Sequence, residues 1–142
     1  MANEHRAIVY PDLAQAIAFH KALMGLLGRT HLGEVSQRDL SLVLSRMSEI
    51  IRDGEGDVFW IAAEFLFDCV RNQPFGPGSK QTAVALTLAF LLRNGIFIAP
   101  PEEEEILGVV QAVADGAAYV AMVEEWLRQC ARPVPASMMR PG

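Results

Sequence analysis

Residues 58–95, VFWIAAEFLFDCVRNQPFGPGSKQTAVALTLAFLLRNG, decide the fold. The first fifteen positions are apolar on nearly every side, which suits a helix at the centre of a bundle rather than one lying on its surface. A Pro/Gly loop follows, and then a second apolar helix from Lys80 to about Asn94, where Asn94-Gly95 gives a C-terminal stop. Two such helices joined by a short loop predict a core helical hairpin.

Working outward, the period stays helical. Leu13, Ile17, His20, Met24 and Leu27 share one face of a first helix, with Pro11 in its first turn and Gly25 and Gly28 at its end. Ser36 with Asp39 reads as the N-cap of a second helix, carrying Leu40, Val43, Leu44, Met47, Ile50 and Ile51 and stopping within residues 52–56. Asp57 caps the third. Beyond Gly95, IFIAP is short and β-like and ends at Pro100-Pro101. Glu102 to Glu105 open a fifth helix, where acids favour the positive end of the helix dipole. Asp115-Gly116 breaks that helix, and Tyr119, Met122, Val123, Trp126 and Leu127 make a sixth. Residues 132–142 read as a loose tail. The expected fold is a single, compact, all-α domain of six helices, with its core in residues 10–130.

Composition narrows the function. With 142 residues, 51% of them hydrophobic and 20% charged, the chain can bury a core without staples. A net charge of −5 with no local cluster of Lys and Arg argues against a general affinity for nucleic acid or acidic membranes. The opening MANEHRAIVYPD has no signal-peptide pattern, and the uncharged run 81–92 is shorter than the roughly 20 residues a bilayer span needs. A cytoplasmic location is expected. Cys69 and Cys130 are too far apart for a metal motif and read as buried thiols. Among the histidines, His5 reads as part of a mobile start of the chain and His31 as part of a loop. His20 shares the buried face of the first helix and reads as a hydrogen-bonded core histidine. No pair has zinc-ligand spacing. Glu64 and Asp68, one helical turn apart, could be an acid/base pair or half of a metal site; the alternative is a solvated stripe in which Arg71 pairs with Asp68.

The chemistry, if there is any, belongs to residues 73–82. Gly76, Pro77 and Gly78 permit a sharp turn, and the helix behind them offers N–H groups at Ser79, Lys80 and Gln81. A helix N-terminus with a lysine in its first turn is a plausible anion site. It is no P-loop, because a helix rather than a strand precedes it and the Gly-Lys-Ser/Thr order is missing. The competing reading is a plain helix–loop–helix corner in which Ser79 caps.

The segment AAEFLFDCVRNQPFGPGSKQTAVALTLAFLLRNG, with YPDLAQAIAFHKALMG before it and DGAAYVAMVEEWLRQ after it, resembles the Fic/Doc family, in its short Doc-like (death-on-curing) branch. The family pattern is His-x-Phe-x-[Asp/Glu/Asn]-Gly/Ala-Asn-Lys/Gly-Arg-Thr-Ala, followed by an apolar helix that closes in Leu-x-x-Asn-Gly. The spacing from Phe75 through Lys80 and Thr82 to Asn94-Gly95 is in register. The resemblance implies a six-helix domain whose central loop binds nucleotide phosphates, with ATP and Mg2+ as cofactors. It also implies transfer of AMP or phosphate to a hydroxyl of a target protein such as a translation factor, and an antitoxin partner. The departures are concentrated in the chemistry. Gln73 stands where the family has its histidine, Pro77 where it has the acidic residue that holds magnesium, Ser79 where it has asparagine and Gln81 where it has arginine. Lys80, with Gly76 and Gly78, remains as an anion cradle. These substitutions imply a pseudoenzyme that acts by binding protein or, weakly, a nucleotide. The alternatives are an active transferase, with Gln73 only orienting the target hydroxyl, and a scaffold subunit with an apolar patch near Phe97 and Met138-Met139. Ser45 to Glu49 begins the pattern of the inhibitory Ser/Thr-x-x-x-Glu-Gly/Asn helix of the family, but Ile50 ends the match.

Overall fold

In the computed structural model, residues 7–29, 35–99 and 102–133 are described, apart from the Pro77 side chain. Six helices follow one another: α1 (Leu13–Leu26), α2 (Gln37–Asp53), α3 (Val58–Asn72), α4 (Ser79–Arg93), α5 (Glu103–Ala114) and α6 (Val120–Cys130). A 3-10 turn, Gly76–Gly78, joins α3 to α4. No helix among the described residues is long and apolar enough to cross a membrane. His5, His31 and Met138-Met139 lie outside the described residues.

The all-round apolar character of α3 has the consequence expected of it. Ile61, Ala62, Ala63, Phe65, Leu66, Cys69 and Val70 are all buried, and α3 packs most extensively against α4 and α6, then against α2 and α5. The adjacent alanines Ala62 and Ala63 leave neighbouring helix axes free to come close, which larger side chains would prevent. The α3–α4 hairpin is therefore real, but α6 covers α3 nearly as fully as α4 does.

Most helix boundaries are set by local chemistry. Asp12 and Gln15 form a reciprocal capping box at α1, with the Gln15 N–H donating to Asp12 at 2.8 Å and the Asp12 N–H donating to Gln15 at 3.0 Å. Pro11 consequently sits just outside the helix, not in its first turn. The apolar face of α1 ends at Met24, and Leu27 is 48% exposed past the last turn. Ser36 accepts the Asp39 N–H at 3.2 Å, and Gly54 ends α2 in the left-handed conformation at φ 68°. Asp57 accepts the N–H groups of Phe59 and Trp60 at the head of α3.

Three expectations are corrected by the structure. Asp68 pairs not with Arg71 but with Arg46 of α2, whose Nε lies 2.9 Å from Asp68 and whose Nη2 lies 3.2 Å from Glu64. Arg71 instead sits over the Phe67 ring, 5.7 Å from its centroid. Arg132 and Pro133, read as the start of a loose tail, form β2 (Ala131–Pro133) against β1 (Ile96–Ile98). The pair is antiparallel, with Ile96 opposite Pro133 and Ile98 opposite Ala131. Finally, Cys130, read as a buried thiol, is only half-buried, and Tyr119, read as part of the sixth helix, is its N-cap residue, while Met122 lies in the helix on its exposed side. The inward face of α6 is Val123 and Leu127.

Polar clamps hold the outer helices in place. Arg128 of α6 donates to Asp57 at 2.7 Å and Glu124 at 2.8 Å while lying over the Phe59 ring at 4.7 Å. Trp126 donates its indole N–H to Glu105 at 2.6 Å, so one of the four acids opening α5 has a tertiary partner.

Candidate functional site

The loop between α3 and α4 begins at Gln73, the C-cap of α3, which is left-handed at φ 47° and ψ 52° and is exposed. Its N–H donates to the Cys69 carbonyl at 2.9 Å, and its own carbonyl accepts the Gly76 N–H at 3.1 Å. Gly76 is also left-handed, at φ 67°, so the chain reverses twice within four residues.

From there the loop turns inward. Pro74 accepts the Ser36 N–H at 2.8 Å, which ties it to the head of α2. Phe75 is fully buried, and its N–H donates to the Ser79 hydroxyl at 2.8 Å. Gly78 lies so close to α1 that a Cβ there would stand 2.8 Å from both His20 Cε1 and Met24 Sδ. His20 completes the corner: its ring stacks on Phe75 with centroids 4.9 Å apart, and its Nδ1 shares a 2.6 Å hydrogen bond with the Thr82 hydroxyl. Burial pushes the His20 pKa below its ordinary value, so the ring is neutral at physiological pH.

This arrangement separates the proposed anion-binding residues into two groups. Ser79 is 2% exposed and its hydroxyl is committed to Phe75, so its side chain is a staple of the loop and does not face a ligand. Nor does it cap α4: Gly78 occupies the N-cap position and makes no side-chain bond. The Ser79 N–H is also engaged, to the Gly76 carbonyl. Gly78 is buried beneath the loop. Gln73 and Gln81 are exposed, Gly76 and Lys80 are half-buried, and Lys80 is the sole charged residue between positions 72 and 82. The outward side of the loop thus offers two amides and one ammonium group, with no carboxylate and no imidazole.

Of the second candidate pair, Glu64 and Asp68, only Asp68 lines the cleft between α2 and α3, with Asp39, Leu42, Val43, Arg46 and Asn72. Burial raises the Asp68 pKa, with the positive charge of Arg46 pulling the other way. Bridged by Arg46, the two carboxylates are a structural ion pair network. No group of three metal-ligating side chains occurs among the described residues. Burial also raises the pKa of the Cys69 thiol, leaving it unreactive.

The pairing of His20 with Thr82 was not legible in the sequence. The signal available, a histidine on an apolar helix face, marked it as a core residue without naming its partner. In comparisons with known proteins, no family model and no curated protein matches the chain.

Proposed function

We propose that the chain is a Doc-like protein with a degenerate Fic motif, impaired in catalysis and acting by binding a protein or, weakly, a nucleotide. The observation that carries this reading is the split of the loop into a sealed and an open side. The outward position that the family motif gives to a proton acceptor holds the amide of Gln73, which accepts no proton near neutral pH. His20, the imidazole among the described residues, is 4% exposed and engaged with Thr82. Positioned general-base catalysis is worth roughly 10² to 10⁴ in rate, and the acidic and arginine positions are lost with it. Phosphoryl or adenylyl transfer depends on metal and cationic groups to neutralise developing charge, so Lys80 alone leaves most of that stabilisation unsupplied.

Lys80 does favour a second reading, an active Doc-type transferase. Lys80 is half-buried in the first turn of α4, where the helix dipole would assist in holding a phosphate. In such an enzyme Gln73 would orient the target hydroxyl while a phosphate oxygen takes the proton.

Label transfer distinguishes the two. The full chain is incubated with Mg2+ and ATP labelled at the α or γ phosphate in a bacterial extract. Beside it runs a Gln73→His/Pro77→Asp/Ser79→Asn/Gln81→Arg variant. Ser79 is buried and bonded to Phe75, so a second rebuilt version keeps it, and circular dichroism checks that both fold. Silence from the native chain with transfer by either rebuilt loop supports the pseudoenzyme. Transfer by the native chain overturns it, and the phosphate that moves names the activity.

A further inference from the structure

We propose that His20 is a pH-sensitive latch that holds the α3–α4 loop against α1, and that protonation of its imidazole releases the loop. The inference stands on the packing of the corner and is independent of any transferase or toxin reading.

His20 sits where three elements meet. It belongs to α1, its ring face lies on Phe75 of the loop, its Cε1 fills the space that a side chain at position 78 would need, and its Nδ1 meets Thr82 of α4. The ring is 4% exposed, and Phe75 and Thr82 are fully buried. The neutral imidazole fits there, with its Nδ1 bonded to the Thr82 hydroxyl and the ring against Phe75 and Gly78. A charged imidazolium does not. It carries two N–H donors and a full positive charge into a corner formed by Phe75, Met24 and Gly78.

Nothing among the described residues compensates that charge. The groups shown against the ring, Phe75, Gly78 and Thr82, do not titrate. The charged residue within α1 besides His20 is Lys21, the charged residues of α4 are Lys80 and Arg93, and loop residues 73–78 carry no charge. Those three charges on α1 and α4 are positive and oppose a second cation; α2, which also packs on α1, carries Arg38, Arg46 and Arg52 with Asp39, Glu49 and Asp53, and none of these is bonded to the ring. Burial is the cause of the lowered His20 pKa, which agrees with the geometry.

Protonation is relieved by moving the loop, because the loop contributes the groups that seal the ring. Pro74 remains tied to Ser36 and α4 remains packed on α3, so the release is local to Phe75–Gly78. The size of the effect has a ceiling. A released imidazole regains its ordinary pKa near 6.5, so the released-to-latched ratio rises by at most about thirtyfold between pH 7.5 and pH 5.

The test is NMR on the full chain. The His20 ring is titrated from pH 7.5 to 4.5, and the exchange protection of the Phe75 N–H is followed over the same range, corrected for intrinsic exchange. The Ala63 N–H within α3 reports global opening. The expected result is a His20 titration below 6.5 with a Phe75 protection that falls severalfold more than that of Ala63. A ring that titrates at or above 6.5, or Phe75 and Ala63 losing protection in parallel, overturns the latch. His20→Gln, where it folds, should leave Phe75 protection flat across the range; a persistent fall in that variant also overturns it.

Discussion

Replacing Gly78 by alanine tests the corner most directly. Gly78 has φ −92°, a conformation that any residue adopts, so the substitution carries no backbone strain and its whole cost is steric. The added methyl group would meet His20 Cε1 and Met24 Sδ at 2.8 Å and Met24 Cε at 3.2 Å. Met24 is a flexible side chain that can give way. His20 is held on one side by Phe75 and on another by the 2.6 Å bond to Thr82, so it cannot shift without weakening one of them. Overpacking of this kind costs about 1–3 kcal/mol. The control is Gly25→Ala in the last turn of α1, where nothing lies within 4 Å of the new Cβ. That change should be neutral or stabilise by up to about 1 kcal/mol through helix propensity. Urea unfolding at pH 7.5 gives both values, provided the m-value stays constant. Combining Gly78→Ala with Met24→Ala should cost less than the sum of the two single changes, since one removes atoms that the other meets. A Gly78→Ala protein as stable as the native chain would refute the close approach of loop to α1, and the latch with it.

Other substitutions probe separate joints of the fold. Gly56→Ala should destabilise by about 2 kcal/mol or more in the same assay, because φ is +73° and the methyl group would lie 2.6 Å from Trp60 Cδ1; Gly54→Ala, at φ +68° in open space, should cost only about 1 kcal/mol. Thr87 buries a hydroxyl that has no hydrogen-bond partner among the described residues, so Thr87→Val should be neutral or raise stability by about 1 kcal/mol, and a loss of that size would show that the hydroxyl is satisfied. Asp57→Ala removes the α3 cap and the Arg128 contact, with an expected loss of about 1 kcal/mol in thermal or urea unfolding. Burial raises the Asp57 pKa, but the hydrogen bonds from Arg128 and from the Trp60 and Phe59 N–H groups outweigh it and leave the pKa lowered. The Asp57 contribution should accordingly be full above pH 4 or so and disappear as the pH falls through the lowered value.

The six helices and most of their ends were determined by the sequence alone, because helix bonds run between residues four apart and caps act within three. Ser36, Asp57, Gly54 and the break at Asp115-Gly116 all work over that range, and each marks a boundary in the structure. The position of the candidate loop was legible for the same reason. What its side chains do was not. Ser79 has the composition of a cap or a phosphate ligand, yet the fold turns its hydroxyl inward to Phe75. Asn94 reads as a helix stop, and tertiary packing adds a second role: its amide clamps the main chain of Val9 through bonds of 2.9 Å and 2.8 Å. Asp68 has Arg71 close by in sequence but takes Arg46 of α2, and Arg132 pairs as a strand with residues more than thirty positions away. His20 meets Thr82 across a separation of 62 residues. Local periodicity carries no information on such partners, since they are fixed only when packing of the helices brings distant faces together. In this chain that packing also decides which half of the central loop faces solvent.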